Sequence, residues 1–87
     1  MSYSLSVAAD ARAALASLDP WLQEETLDEI EKLLGDAAAL IPRSGSDIVV
    51  HDFTRTAHGR VYYVFLTLRP AREAAVVDVL SLGCFVR

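Results

Sequence analysis

The feature that most constrains the fold of this chain is the segment Arg60–Leu68, which is apolar at nearly every position. In an extended strand, successive side chains point to opposite faces. Both faces are apolar here: Val61, Tyr63 and Phe65 on one, and Tyr62, Val64, Leu66 and Leu68 on the other. Because such a strand must be covered by other elements or by a partner, we predict that Arg60–Leu68 is the central strand of a sheet.

Two further segments of strand length flank this central strand. Ile48–Arg55 precedes it and Ala74–Leu82 follows it. The connection Thr56-Ala57-His58-Gly59 is predicted to close the first hairpin, since its glycine can supply a positive φ. The second connection contains Pro70, which we expect outside the ladder because proline has no backbone N–H. The three segments therefore predict an antiparallel sheet.

The first half of the chain reads as one short strand and two helices. Tyr3–Ala8 alternates as a half-buried strand does, and Asp10 then stands where a helix cap is expected. Asp19, followed by proline, ends this helix after Leu18 and starts a second, which stops at Gly35. We therefore predict one α+β domain over residues 1–87. Its order is β-α-α-β-β-β, with an N-terminal helical hairpin packed on one face of the antiparallel sheet.

The helical hairpin has enough apolar surface to cover only one face of the sheet. The opposite face should be partly open, and an open apolar face is expected to bind a partner, either in a homodimer or in a hetero-complex. For a module that binds a partner through this face, a charge at Tyr62 or Val64 is predicted to abolish partner binding.

Charge and composition narrow the functional classes. The net charge is −4, with acidic residues concentrated in the first half and arginines in the second, so a nucleic acid is expected to meet the second half. Cys84 is the only cysteine, which excludes an internal disulfide and fits the cytoplasm. No apolar run reaches the length of a membrane span, and no motif for a cofactor or a metal occurs. The expectation is a cytoplasmic protein without a cofactor.

Two arginines are the best candidates for a site. Arg55 and Arg60 flank the predicted four-residue connection and are expected to face each other across the mouth of the hairpin. With His58 they could hold a phosphodiester and stabilise the negative charge that develops during its cleavage. Alternatively, they are hairpin-end charges that discourage edge pairing or bind Asp52.

The element order, the segment Gly59-Arg60-Val61-Tyr62-Tyr63 and the ending Val79–Gly83 resemble the RelE/ParE superfamily of bacterial toxins, also called plasmid stabilisation proteins. The resemblance covers nearly the whole chain and rests on order and spacing more than on signature residues. It implies the toxin of a type II toxin–antitoxin system, paired with a cognate antitoxin that wraps its surface. RelE-like members cleave mRNA on the ribosome, and ParE-like members poison DNA gyrase.

The resemblance also implies roles for individual residues. Arg60 matches the arginine that begins the central strand in this family and helps bind the scissile phosphate; with Arg55 it forms our candidate catalytic set. After Gly83 the family usually continues with a basic pair and a late tyrosine, whereas this sequence reads Cys84-Phe85-Val86-Arg87. The lysines usual before the hairpin are also missing. Two functions stay open: a ribosome-dependent mRNA endoribonuclease, and a non-enzymatic toxin such as a gyrase poison or an inactive relative.

Overall fold

The computed structural model describes residues 3–36, 40–42 and 45–87, and in these ranges the predicted order β-α-α-β-β-β is confirmed. No helix in the described part of the chain is long and apolar enough to cross a membrane. The elements are β1 (Ser4–Val7), α1 (Ala9–Ala16), α2 (Pro20–Leu34), β2 (Val49–Ala57), β3 (Arg60–Ala71) and β4 (Val76–Val86).

The sheet has the strand order β1-β4-β3-β2, so β3 lies between two neighbours as predicted. β2 and β4 both run antiparallel to β3. β1, however, pairs in parallel with β4, from Ser4 opposite Val76 to Val7 opposite Val79. The prediction of a wholly antiparallel sheet is therefore wrong for this pair. Its two strands lie at opposite ends of the chain, and no local sequence signal reports such a long-range pairing.

The ends of the helices follow local chemistry. α1 starts at Ala9 with Ala8 as its N-cap, so the predicted cap at Asp10 is wrong; that carboxylate lies in the first turn instead, where the positive end of the helix dipole stabilises it. α2 begins after Asp19 with proline at its first position and ends before Gly35, as predicted.

The core lies between the helices and one face of the sheet. We call this the covered face, and it holds Tyr62, Val64, Leu66 and Leu68 of β3. The prediction that a charge at Tyr62 or Val64 would abolish partner binding through the open face is therefore wrong, because both side chains are buried in the core. The core also contains Ala11 of α1, Leu22, Ile30 and Leu33 of α2, Leu40, Phe53 of β2, and Val77 and Val79 of β4.

An irregularity in β4 decides which of its side chains join the core. Thr67 pairs with Ser81 but Leu68 pairs with Val79, so Leu80 is an extra residue, as in a β-bulge. The bulge shifts the alternation by one residue and places Leu82 on the covered face together with Val79. Without the bulge, strict alternation along the strand would place these two side chains on opposite faces.

Pro70 lies inside β3, opposite Val77, which corrects the prediction that it stands outside the ladder. β2 begins opposite Leu68, so this end of β3 has a paired strand on one side only. A proline is tolerated there because the strand does not need an N–H donor on its free side.

Candidate functional site

The candidate arginines lie near the tip of the β2–β3 hairpin, whose turn is tighter than predicted. β2 ends at Ala57 and β3 begins at Arg60, so the turn is only His58-Gly59. Both turn residues have positive φ, 54° at His58 and 72° at Gly59, which is the pattern of a type I′ turn. Arg60 therefore stands opposite Ala57 in the ladder rather than opposite Arg55, and the predicted four-residue mouth is wrong.

Arg55 lies on the covered face, where its guanidinium joins the sheet to α2. Its Nε is 3.3 Å from Oε2 of Glu25, and its Nη2 is 3.5 Å from Oε1 of Glu29. Its Nη1 donates to the carbonyl oxygen of Thr54 at 2.9 Å, and its Cζ lies 4.8 Å from the centre of the Phe53 ring. All three guanidinium nitrogens are therefore engaged, and two carboxylates balance the charge.

Asp52, the alternative partner considered for the arginines, lies on the other face of β2 and does not pair with Arg55. The partners of Arg55 come from α2 because residues 25 and 29 are one helical turn apart and so present both carboxylates to the same spot. Sequence reasoning missed this contact. Its signal was the pair of acidic residues at a spacing of four on a helix that must pack over the hairpin.

Arg60 has a different environment from Arg55. Its side chain is exposed at the start of β3, and it has no hydrogen bond or ion pair with any residue of the described ranges. A free guanidinium on the surface can bind phosphate or carboxylate through two parallel N–H donors. The two candidate arginines thus share the covered side of the hairpin, but only Arg60 has free donors. Their assignment as catalytic residues stays a prediction.

His58 is the third member of the predicted site and packs against α2. Its ring centre is 5.9 Å from that of Trp21 in an edge-to-face arrangement, and Trp21 in turn lies 5.0 Å from Tyr62, also edge to face. Such pairs contribute about 0.5–1.5 kcal/mol beyond burial. The hairpin tip is therefore packed on the start of α2, and Arg60 follows His58 by two residues at this tip.

The open face, which carries Val61, Tyr63, Phe65 and Thr67 of β3, holds an aromatic cluster. Phe85 of β4 stacks on Tyr63 with ring centres 4.7 Å apart and on Phe65 with centres 5.3 Å apart. Cζ of Arg87 lies 5.9 Å from the centre of the Tyr63 ring. We call Tyr63, Phe65, Phe85 and Arg87 the aromatic cluster.

The aromatic cluster is an exposed apolar surface with a single cation. Phe65 is 37% exposed and Phe85 is 45% exposed. Arg87 has no carboxylate partner among the residues that the structure describes. Sequence reasoning predicted the open face but missed Phe85 and Arg87, because it ended the last strand at Leu82. The signal was the apolar run Cys84–Val86, which can extend the last strand beyond Leu82.

Two surfaces stand out in the structure: the exposed hairpin tip with Arg60 and His58, and the aromatic cluster on the open face. Among the described residues, no three His, Cys, Asp or Glu side chains come together as metal ligands would.

The fold was compared with known proteins. No family model matches the chain, and no curated protein matches its sequence. Among solved structures, the free form of a RelE toxin mutant from E. coli superimposes with a TM-score of 0.74 at 21% identity, over 95% of this chain and 83% of that chain. This chain has the RelE fold. The similarity inferred from element order is thereby confirmed at the level of the fold.

The RelE fold also occurs in solved toxin–antitoxin complexes. The intact RelBE complex from E. coli matches with a TM-score of 0.68 at 20% identity, over 93% of this chain and 94% of that chain. The RelBE2 toxin–antitoxin complex from Mycobacterium tuberculosis matches with a TM-score of 0.65 at 17% identity, over 95% and 98% of the two chains. The fold is thus shared by toxins solved free and bound to their antitoxins.

Proposed function

We propose that this chain is the toxin of a type II toxin–antitoxin pair. The observation that carries the proposal is the match of nearly the whole chain to RelE chains, including those solved in complex with an antitoxin. The open face supports it independently, because a RelE-like chain with an exposed aromatic cluster needs a partner to cover that cluster.

The antitoxin is proposed to cover the open face. Phe85 already stacks on both Tyr63 and Phe65, so a nucleic-acid base cannot insert between these rings unless they separate. A protein segment with apolar side chains can pack on the exposed parts of the rings, and a carboxylate on that segment can pair with Arg87. Protein is therefore the better occupant of this surface.

The proposal is tested by expressing the chain with and without the small reading frame expected next to its gene. Expression alone should arrest growth, and co-expression should restore growth and yield a complex that copurifies. Phe85→Asp should weaken copurification at least tenfold, while Leu27→Asp, on α2 and away from the open face at a position that is 46% exposed, should leave it unchanged. Normal growth without the second protein, together with no copurifying partner, contradicts the proposal.

For the toxic action we propose mRNA cleavage on the ribosome, with Arg60 binding the scissile phosphate. Arg60 supports this because its donors are free and it lies beside His58 at an exposed tip. Its charge would stabilise the negative charge that grows on the phosphate oxygens during cleavage. Arg55, the second proposed catalytic residue, must leave Glu25 and Glu29 before it can reach a phosphate.

Arg60→Ala should relieve growth arrest, and its matched control is Arg72→Ala, which removes an exposed arginine from the β3–β4 turn. Loss of one phosphate-stabilising charge is expected to slow cleavage by about 100-fold or more. Ribosome-bound mRNA cut by the native chain and by the Arg72 variant, but not by the Arg60 variant, is the expected result. Equal cleavage by all three proteins would rule out this role for Arg60.

A toxin that acts only by binding a protein, such as DNA gyrase, is the second candidate. The ion pairs of Arg55 favour it, because they remove one of the two proposed phosphate-binding arginines from the site. This candidate predicts that growth arrest survives Arg60→Ala and that supercoiling by purified gyrase stops when the chain is added. Unchanged supercoiling would exclude gyrase as the target.

A further inference from the structure

A groove lies on the covered side of the sheet, at the end that the helices do not cover completely. It has a volume of about 320 Å³ and lies between the α1–α2 turn and the last residues of β4. Leu22, Tyr62 and Leu82 form its floor, Cys84 lies beside them, and Asp19 and Val86 belong to its rim. The mechanism proposed above uses none of these side chains.

The groove has an apolar floor and a polar rim that includes the carboxylate of Asp19. Asp19 makes no capping hydrogen bond through its carboxylate, and it has no cationic partner among the described residues. Burial raises the pKa of the Cys84 thiol above its ordinary value, and the negative charge of Asp19 raises it further. Because Asp19 lines the groove without a cationic partner among the described residues, its charge repels a phosphate there and attracts an ammonium or guanidinium group.

The groove is continuous with the aromatic cluster around the end of β4. Successive residues of this strand point to opposite faces, so Phe85 belongs to the open face and Val86 to the groove. Val86 is 43% exposed, although it lies on the face that the helices cover elsewhere. A partner segment that crosses the end of β4 from the open face therefore meets the groove next.

We propose that the groove holds an apolar side chain of the antitoxin, and that a lysine or arginine of the same antitoxin segment pairs with Asp19. This inference rests on the proposed function for the identity of the partner, but the recognition chemistry can be measured without the antitoxin. An apolar side chain fits the floor, and a basic neighbour complements both Asp19 and the acidic helical hairpin.

Cys84 gives a direct readout, because it is the only cysteine of the chain and belongs to the groove. The probe is a helical peptide of about 15 residues with leucines on one face and lysines beside them. The rate at which Cys84 reacts with a thiol reagent is followed as the peptide concentration rises. The basic peptide should slow the reaction in a saturable way, and the same peptide with glutamates in place of lysines should not slow it.

Two variants locate the effect. Asp19→Asn should weaken protection by the basic peptide about two- to fivefold, as expected for one partly exposed ion pair. Val86→Lys, at an exposed rim position that tolerates a polar residue, should weaken it on the order of tenfold, through lost apolar contact and charge repulsion. Val50→Lys adds the same charge on the open face and should leave protection unchanged.

Equal protection by the basic and the acidic peptides, or no protection by either, would overturn the proposal. Unchanged protection in both the Asp19 and the Val86 variants would also overturn it. These outcomes are separate from the growth assay, since a toxin can arrest growth whether or not its groove binds such a segment. Conversely, a chain that does not arrest growth can still show charge-selective binding at Cys84.

Discussion

The two faces of the sheet are built from the same strand and have opposite environments. On β3, Val64 and Leu66 of the covered face are completely buried, whereas Phe65 between them is 37% exposed. Both sets of side chains are apolar, so hydrophobicity does not distinguish them. The difference comes from the helices, which supply Leu22, Ile30 and Leu33 to one side only. One face is therefore core, and the other leaves large apolar side chains exposed.

The largest expected effect comes from placing the same charge on each face. Val64→Asp buries an unpaired carboxylate in the core and should lower the free energy of unfolding by more than about 3 kcal/mol or prevent folding. Phe65→Asp, one residue further along, should cost about 1 kcal/mol, because solvent can reach the carboxylate there. Urea unfolding followed by far-UV circular dichroism measures both. Similar losses at the two positions would mean that the two faces are equally buried.

The next largest loss of stability is expected at the β2–β3 turn. This turn fixes the pairing register of the two strands, and a slip of one residue would exchange their faces. Gly59 has φ +72°, so Gly59→Ala forces an L side chain into the left-handed region and should cost about 1–2 kcal/mol. Gly35→Ala is the control: its φ is −88° and the new Cβ would lie no closer than 3.7 Å to a neighbouring atom. Thermal unfolding should show a loss only for the Gly59 variant.

A smaller effect is expected at the ion pairs that fasten α2 over the covered face. Arg55→Met keeps the stem that lies on Phe53 but removes the charge, and should cost about 1 kcal/mol, because both ion pairs are partly exposed. The loss should shrink at high salt and when Glu29→Gln is already present. Arg72→Met, without a partner in the described ranges, should change stability by less than about 0.5 kcal/mol. Additive losses in the Arg55–Glu29 double variant would show that the pair does not couple.

The smallest effect is expected beneath the aromatic cluster. Gly83 pairs with Phe65 in the ladder, and a Cβ added there would lie 3.9 Å from Cδ2 of that ring, an ordinary van der Waals contact. Gly83→Ala should therefore change the free energy of unfolding by less than about 0.5 kcal/mol in chemical denaturation. A loss above 1 kcal/mol would mean that the open face is packed as tightly as the core.

Much of the fold could be predicted from the periodicity of apolar residues and from the positions of proline and glycine. The two-sided apolar pattern placed Arg60–Leu68 inside the sheet, and the proline after Asp19 together with Gly35 bounded α2. The parallel β1–β4 pair was not predictable in this way, because its partners are far apart in sequence. The bulge at Leu80 could not be predicted either, because a bulge is visible only in the pairing register between two strands and not along one strand's sequence.

The candidate site was only partly predictable for the same reason. Sequence spacing brought Arg55, His58 and Arg60 to one hairpin end, and the structure places them there. It did not reveal that Glu25 and Glu29 hold Arg55, because that contact depends on how α2 crosses the sheet. Nor did it reveal Phe85 in the aromatic cluster, since its face depends on the bulge upstream.

We propose that the open face is the surface that the antitoxin covers. The most direct test is cross-saturation NMR on the copurified complex, with the chain observed and the partner irradiated. The aromatic signals of Tyr63, Phe65 and Phe85 should lose intensity on irradiation, while the buried methyl groups of Val64 and Leu66 should not. Full intensity at all three aromatic residues, in a complex that forms and stays bound, would contradict it.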